Sequence, residues 1–340
     1  MRKPVKAVRT DRELECPAVD AGLRARGVDL VTLPDGVSET ELAREVADAD
    51  LLLMCYTPVT ARVIDAAARL KGIVKYGVGI DAIDIAAAMR RGIPVVNVPE
   101  YAEATVAEGA FALMIALAKR LPAIAGAVAR DGWIWPERRW LASDLAEKTV
   151  GLVGLGRIGL SMARMAGQGF RARVLAFDPH VDSATMRAAG VEKVDHLPKL
   201  LAASDFVSVH CVLNEQTRHL IGRAELACLK PSAIVVNVSR GALVDETALV
   251  EAIIEGRIAG AGLDVYSVEP LAQAGHPMSP LFGRDNVILF PHLTFYTVEA
   301  MQRLEEDTLA RCAEVLEGRP VTVRSNDPRL RAQATGVTYL

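Results

Sequence analysis

"TVGLVGLGRIGLSMARMAGQGF", residues 149–170, sets an apolar run against three glycines and then an amphipathic stretch. The run reads as a buried strand and the stretch as a helix, with Gly154, Gly156 and Gly159 in the turn between them. Each glycine has a physical task there. The first makes the tight turn, the second lets a pyrophosphate come against the backbone, and the third lets the helix pack closely on its strand. The helix N-terminus then turns its unpaired N–H groups and positive dipole end toward the phosphates. The spacing alone is a weak signal, because glycine-rich turns also form for structural reasons. The neighbouring segment strengthens it: "RVLAFDPH" (173–180) reads as the next strand and carries Asp178 at its end. An acid about 20 residues past the glycines is placed to accept hydrogen bonds from the adenosine ribose hydroxyls. Its charge repels a 2′-phosphate, and Pro179 and His180 supply no arginine, so NAD(H) is favoured and NADP(H) disfavoured.

The same alternation extends in both directions. Before the glycines come "VKAVRT" (5–10), "VDLVTL" (28–33), "ADLLLMCY" (49–56), "IVKYG" (73–77) and "PVVNVP" (94–99); after them come "FVSVHC" (206–211), "AIVVNVS" (233–239), "AGAGLDV" (259–265) and "NVILF" (286–290). Helical segments rich in Ala, Arg and Glu separate them. Strands joined through helices imply right-handed crossovers and parallel sheets covered on both faces. The expected fold class is α/β, with two doubly wound parallel-sheet domains. A helix at about 104–121, ended near Pro122, and another at about 297–317, closed by Gly318 and Pro320, mark the junctions. Residues 321–340 show no strong period and take no assignment.

At 340 residues, two domains is the prior. The net charge of −3 and the absence of any basic run beyond two residues set nucleic-acid binding aside. The five cysteines are scattered without a Cys-x-x-Cys, which suits small buried hydrophobes in a reducing compartment. The first ten residues lack an apolar signal core, and the longest apolar stretch, "GAFALMIALA", is too short for a bilayer. A soluble cytoplasmic protein without membrane partners is expected. Walker-type G-K-[ST] and H-E-x-x-H are absent, so neither an NTPase nor a zincin is supported, and no metal is expected.

In a doubly wound sheet, ligands sit outside the carboxyl ends of the strands. Those ends carry "NVSRG" with Arg240, "LDVYSVEP" with Asp264 and Glu269, and "FPHLT" with His292. Singly, each has a bland reading: a surface turn, a solvated loop acid, a core histidine bonded to a carbonyl. Together on the edge that meets the nicotinamide end of a dinucleotide, an arginine, a glutamate and a histidine favour a functional one.

These segments, with "YGVGIDAIDIAAAMRRGIPVVNVPEYAEATVAE" and "LKPSAIVVNVSRGALVDETAL", resemble the D-isomer-specific 2-hydroxyacid dehydrogenase family in order across about residues 50–320. The resemblance implies a Rossmann cofactor domain (101–291) inserted into a discontinuous flavodoxin-like substrate-binding domain (1–100 and 292–340), with the active site in the cleft. It implies Arg240, Glu269 and His292 as the catalytic set and Asp264 at the nicotinamide carboxamide. Arg157 and Ile158 would lie along the pyrophosphate, and Thr105, Val238 and Ser239 near the cofactor. The backbone N–H groups of Val78 and Gly79 would hold the carboxylate of a small anionic 2-oxo or 2-hydroxy acid, with Arg240 bridging it. Tyr56, Tyr101 and Tyr296 are further candidates to line the substrate pocket, against core or hinge packing as the other reading. A homodimer through about 121–145 is also implied.

The chemistry suits those residue types. Hydride transfer to C2 leaves negative charge on the carbonyl oxygen, which needs a proton donor and a stabilising cation. Histidine serves either direction near neutral pH, and a neighbouring Glu269 would favour its imidazolium form. Reduction should then fade, and oxidation gain, as that proton is lost. The chain departs from the family at Gly109, where a histidine is frequent, and at Val212, where proline is common. Glu269 argues against formate dehydrogenase, which has glutamine there. The rival reading is an NAD(H)-sensing corepressor-like or scaffold protein on the same fold, with little turnover.

Overall fold

The computed structural model describes residues 4–340, which group into two compact units. One holds the chain up to Ala102 together with Thr297–Leu340; the other is Glu103–Tyr296.

In the first unit, β1 (Lys6–Arg9), β2 (Asp29–Thr32), β3 (Leu51–Met54), β4 (Ile73–Lys75) and β5 (Val95–Asn97) form a parallel sheet in the order β2-β1-β3-β4-β5. This is the flavodoxin-type doubly wound order. Every residue of β3, β4 and β5 is buried, as strands covered on both faces require. Ser38, Thr60 and Asp84 each cap a crossover helix, their side-chain oxygens accepting from an N–H in its first turn. The last twenty residues, unassigned from sequence, are ordered. Val321–Val323 and Val337–Tyr339 pair in parallel around a short helix, Pro328–Arg331. Beside them the Gln333 amide accepts from Val95 N at 2.7 Å and donates to Val95 O at 2.9 Å. It thereby occupies the edge of β5 that no strand of the sheet covers.

In the second unit, β6 (Thr149–Val153), β7 (Arg173–Phe177), β8 (Glu192–Lys193), β9 (Phe206–Val209), β10 (Ile234–Asn237), β11 (Gly260–Leu263) and β12 (Val287–Leu289) form a parallel sheet. The order β12-β11-β10-β9-β6-β7-β8 reverses between β6 and β9, and the glycine loop leaves β6 at that switch point. The short β8, charged at both positions, had no strand signal in the sequence. The helix Glu103–Ala118 buries Ala107, Ala110, Met114 and Leu117 against one face of the sheet. It stops before Pro122, which opens a second helix, Leu121–Asp131, that the sequence reading did not foresee. Proline fits a first turn because its missing N–H would be unpaired there anyway.

The junction falls after Tyr296, whereas the sequence reading put it before His292. Residues 293 and 294 are tied to Asp264 of the second unit, and this tether keeps the histidine segment with that sheet. All five cysteines are free, with Cys16, Cys55 and Cys312 buried. Among the described residues no group of His, Cys, Asp and Glu is arranged to hold a metal. No single helix among them is long and apolar enough to cross a membrane.

Candidate active site

The glycine loop is built by contact on two sides and openness on the third. Gly154 has φ +95°, and a Cβ there would lie 2.7 Å from Cys211 N. A Cβ on Gly159 would lie 2.5 Å from Gly154 O, so the turn and the helix start tolerate no side chain. At Gly156 a Cβ would meet nothing within 4 Å. The middle glycine is therefore the one that leaves room for a ligand against the backbone, which is the fit a dinucleotide pyrophosphate requires. Asp178 is anchored to this loop: its carboxylate accepts from Leu155 N and from His180 N, both at 2.9 Å. Arg157 Nη1 lies 3.1 Å from Glu103 Oε1, at the start of the helix that also carries the buried Thr105. Ile158 packs on the core beneath the loop.

His210, at the end of β9, was passed over in the sequence. A Cβ at Gly154 would come within 2.8 Å of its carbonyl, so it forms part of the loop's floor. Both ring nitrogens are buried without a hydrogen-bond partner among the described residues, and burial pushes the imidazole down to about 4. The signal was available: "FVSVHC" ends on the same sheet edge as the other candidates.

Beyond β10 the turn is pinned by side chains. Ser239 Oγ donates to Val209 O at 2.8 Å, and Asn237 Nδ2 donates to Arg240 O at 2.9 Å. Arg240 Nη1 donates to Ser239 O, while Val238 is buried in the sheet's core. A Cβ on Gly241 would come within 2.0 Å of Tyr266 C, so only glycine lets the arginine turn press against the loop after β11. That loop carries Glu269. Its Oε1 accepts from Tyr266 N at 3.0 Å, and its Oε2 lies 2.9 Å from His292 Nδ1. Burial works to raise the Glu269 carboxyl. The hydrogen bond and charge of His292, the Tyr266 amide and the Arg240 guanidinium outweigh it, and the group is held below the usual range. A carboxylate only accepts, so the shared hydrogen sits on Nδ1. Arg240, Glu269 and His292, distant in sequence, thus meet electrostatically on one edge.

His292 itself is a non-glycine residue at φ +58°. A left-handed backbone costs an L-residue about 1–2 kcal/mol, so something must hold it. Asp264 does: it is fully buried and accepts from Leu293 N at 2.8 Å, Thr294 N at 3.0 Å and Thr294 Oγ1. Burial pushes its carboxyl up, against those three donors. Its oxygens grip the segment that follows the histidine, a tether that the sequence does not reveal. Gly109 gives the room, since a Cβ there would lie 2.7 Å from Thr294 Cβ. Phe295 is buried with its ring edge-on to His292, and Tyr296 is exposed.

In the first unit, Tyr56 and Val78 are exposed, and the Tyr101 side chain is buried. Gly79 follows Val78 in the loop after β4, where Asn97 Nδ2 donates to Val78 O at 2.6 Å.

The family model for "D-isomer specific 2-hydroxyacid dehydrogenase, NAD binding domain" matches residues 111–294. A D-3-phosphoglycerate dehydrogenase of Methanocaldococcus jannaschii is 37% identical over 307 residues, covering 90% of this chain and 57% of the relative. A glyoxylate reductase of Korarchaeum cryptofilum is 41% identical over 272 residues, 79% of this chain and 80% of its own. The chain spans little more than half the length of the phosphoglycerate dehydrogenases it matches. Among solved structures, D-lactate dehydrogenase from Aquifex aeolicus, complexed with NAD and lactic acid, superposes with a TM-score of 0.80. It is 28% identical and covers 92% of this chain and 96% of that one.

Proposed function

The chain belongs to the D-isomer-specific 2-hydroxyacid dehydrogenase family, and from that premise we propose that it transfers a hydride between NAD(H) and C2 of a 2-oxo or D-2-hydroxy acid. The observation that carries this reading is the 2.9 Å approach of Glu269 Oε2 to His292 Nδ1, under the charge of Arg240. When bound, NAD(H) supplies the hydride. Residues 103–296 bind it, with Gly156 leaving space at the pyrophosphate and Asp178 meeting the ribose hydroxyls, a carboxylate that disfavours NADP(H). Glu269 fixes the ring so that Nε2, the other nitrogen, passes the proton to the oxygen on C2 in reduction and takes it back in oxidation. Arg240 stabilises the negative charge that builds there and orients the substrate carboxylate in a two-pronged fork. Asp264 holds the histidine segment in place.

The first unit supplies the substrate side. The N–H groups of Val78 and Gly79 hold the carboxylate. The protein works as a homodimer through the segment after the helix Leu121–Asp131. Trp133, Trp135 and Leu141 stand there at 75%, 73% and 71% exposure, too apolar a cluster to leave in water.

The test is a panel of glyoxylate, hydroxypyruvate, pyruvate and phenylpyruvate with NADH, following loss of the reduced cofactor. Turnover of one acid by a His292-dependent route is the expected result. NADH binding with no turnover of any acid would favour the sensor reading and end the enzyme one.

A further inference from the structure

We infer that Lys75 is a buried counter-charge for the substrate's carboxylate, acting from beneath the loop Tyr76–Gly79. This rests on the reading above that Val78 and Gly79 hold that carboxylate, and it adds a side chain that neither the family motifs nor the catalytic set includes.

Lys75 is the last residue of β4 and only 5% exposed. Its Nζ donates to Cys55 O at 2.6 Å and approaches Cys55 Sγ at 3.2 Å, with the Tyr56 ring centroid 5.5 Å away. An ammonium has three donors, and no carboxylate among the described residues lies within salt-bridge distance of this one. The buried acid of the adjoining loop, Asp11, is already committed. It accepts from the N–H groups of Cys55, Tyr56 and Thr57 and from the hydroxyls of Thr10 and Thr57. A buried cation without an ion-pair partner is costly, and one that persists points to an anion that arrives later.

The loop above it is shaped to receive one. A Cβ on Gly77 would lie 3.0 Å from Lys75 Nζ, and its φ of +143° suits glycine alone. Gly77 therefore sets no side chain between its own backbone and the ammonium. Val98 N donates to Gly77 O at 3.1 Å, and Asn97 Nδ2 donates to Val78 O at 2.6 Å. In a planar trans peptide the N–H points opposite to the C=O. Fixing those two carbonyls toward β5 therefore turns the N–H groups of Val78 and Gly79 away from it. Neither N–H has a hydrogen-bond partner among the described residues. Successive free N–H groups over a buried ammonium make an anion-binding concavity in which the lysine supplies the net charge.

A charge that attracts the carboxylate equally in ground and transition states changes KM and leaves kcat. The experiment compares wild type with Lys75→Met and Lys75→Gln, using NADH and either a 2-oxo acid or its uncharged 2-oxo amide. Glutamine, able to donate to Cys55 O, serves if the methionine variant fails to fold, and Lys75→Arg is the charge-preserving control. The expected result is a rise in KM for the acid of at least ~10-fold with kcat within ~3-fold, no change in KM for NADH, and no loss on the amide. Arginine should keep the preference for the acid. Equal losses on acid and amide would make the lysine a packing residue, and an unchanged KM for the acid would remove it from binding; either overturns the inference. A wild type that reduces none of the acids defeats the functional reading itself, a different outcome from an active wild type with indifferent variants.

Discussion

Asp264→Asn separates the two uses open to the buried acid of the candidate site. As built, the carboxylate receives three hydrogen bonds from Leu293 and Thr294, the residues that follow a histidine in the left-handed region. Asparagine keeps the shape, but its NH2 group must face one of those donors, so one bond is lost and the charge is removed from the others. A hydrogen bond to a charged group is worth about 1.5–3 kcal/mol. Felt wholly by the histidine segment, that loss depletes the competent conformer by about 10- to 150-fold, at 1.4 kcal/mol per factor of ten. Burial already pushes the Asp264 carboxyl up, so discarding the charge recovers part of the cost and the lower end is expected. The assays are steady-state kcat with a good 2-oxo acid, NADH binding by fluorescence titration, and a thermal melt. The expected outcome is a kcat down by about 10- to 30-fold with the NADH Kd within ~2-fold, because the acid acts through His292. If the Kd for NADH rises in step with the loss in kcat/KM, Asp264 is a cofactor ligand, and the tether argument fails.

Glu269→Gln should lower kcat for reduction by about 10-fold with NADH affinity kept, because the His292 ring loses the charged acceptor that orients it; an unchanged kcat would remove Glu269 from that role. The same change bears on stability. With its carboxyl held below the usual range, Glu269 contributes stability that is present above the unfolded-state value near ~4.3 and lost as pH falls through the lower folded value. The glutamine variant should lack that acid-side loss in chemical denaturation run across pH. Gly109→Ala puts a methyl 2.7 Å from Thr294 Cβ and 3.2 Å from its Cα, where backbone must yield. About 1–3 kcal/mol of destabilisation is expected, with kcat falling more than NADH affinity, and a variant with wild-type kcat would show that the 293–294 segment does not position the histidine. Replacing Trp133 and Trp135 together by Ser should convert a dimer to a monomer in sedimentation; an unchanged mass places the dimer contact elsewhere.

Most of the fold was legible because its signals are local. Each strand of the two sheets longer than two residues lies inside an apolar run singled out from the sequence, and Thr297 caps the last long helix where the pattern began. The misses share a cause. Glu192–Lys193 and Val321–Val323 are strands because a neighbour offers a ladder, not because their residues demand one. Pro122 reads as a stop in any helix that reaches it, and only the left-handed Arg120 shows that a new helix has started.

The site divides along the same line. Arg240, Glu269 and His292 were legible because parallel strands deliver their carboxyl ends to one edge, so residues just past those ends are neighbours whatever their separation in the chain. Asp264 was legible as a strand-end acid, and its grip on Leu293 and Thr294 was not. A strand-end acid is equally fit to meet a ligand or to grip the next loop, and the choice turns on whether its oxygens face solvent, which only packing decides. Gly109 was seen as a departure, and its reason, the Thr294 methyl lying against the helix, is a contact between segments far apart in the chain. Lys75 stood in a buried strand where an ordinary reading makes it an end residue whose stem is covered and whose ammonium reaches water. What distinguishes it is that no carboxylate among the described residues pairs with the covered charge, and an absence of that kind has no representation in sequence. Such groups, polar and buried with incomplete partners, are where a fold that is otherwise locally consistent departs from its own rules, and ligand sites are the usual reason.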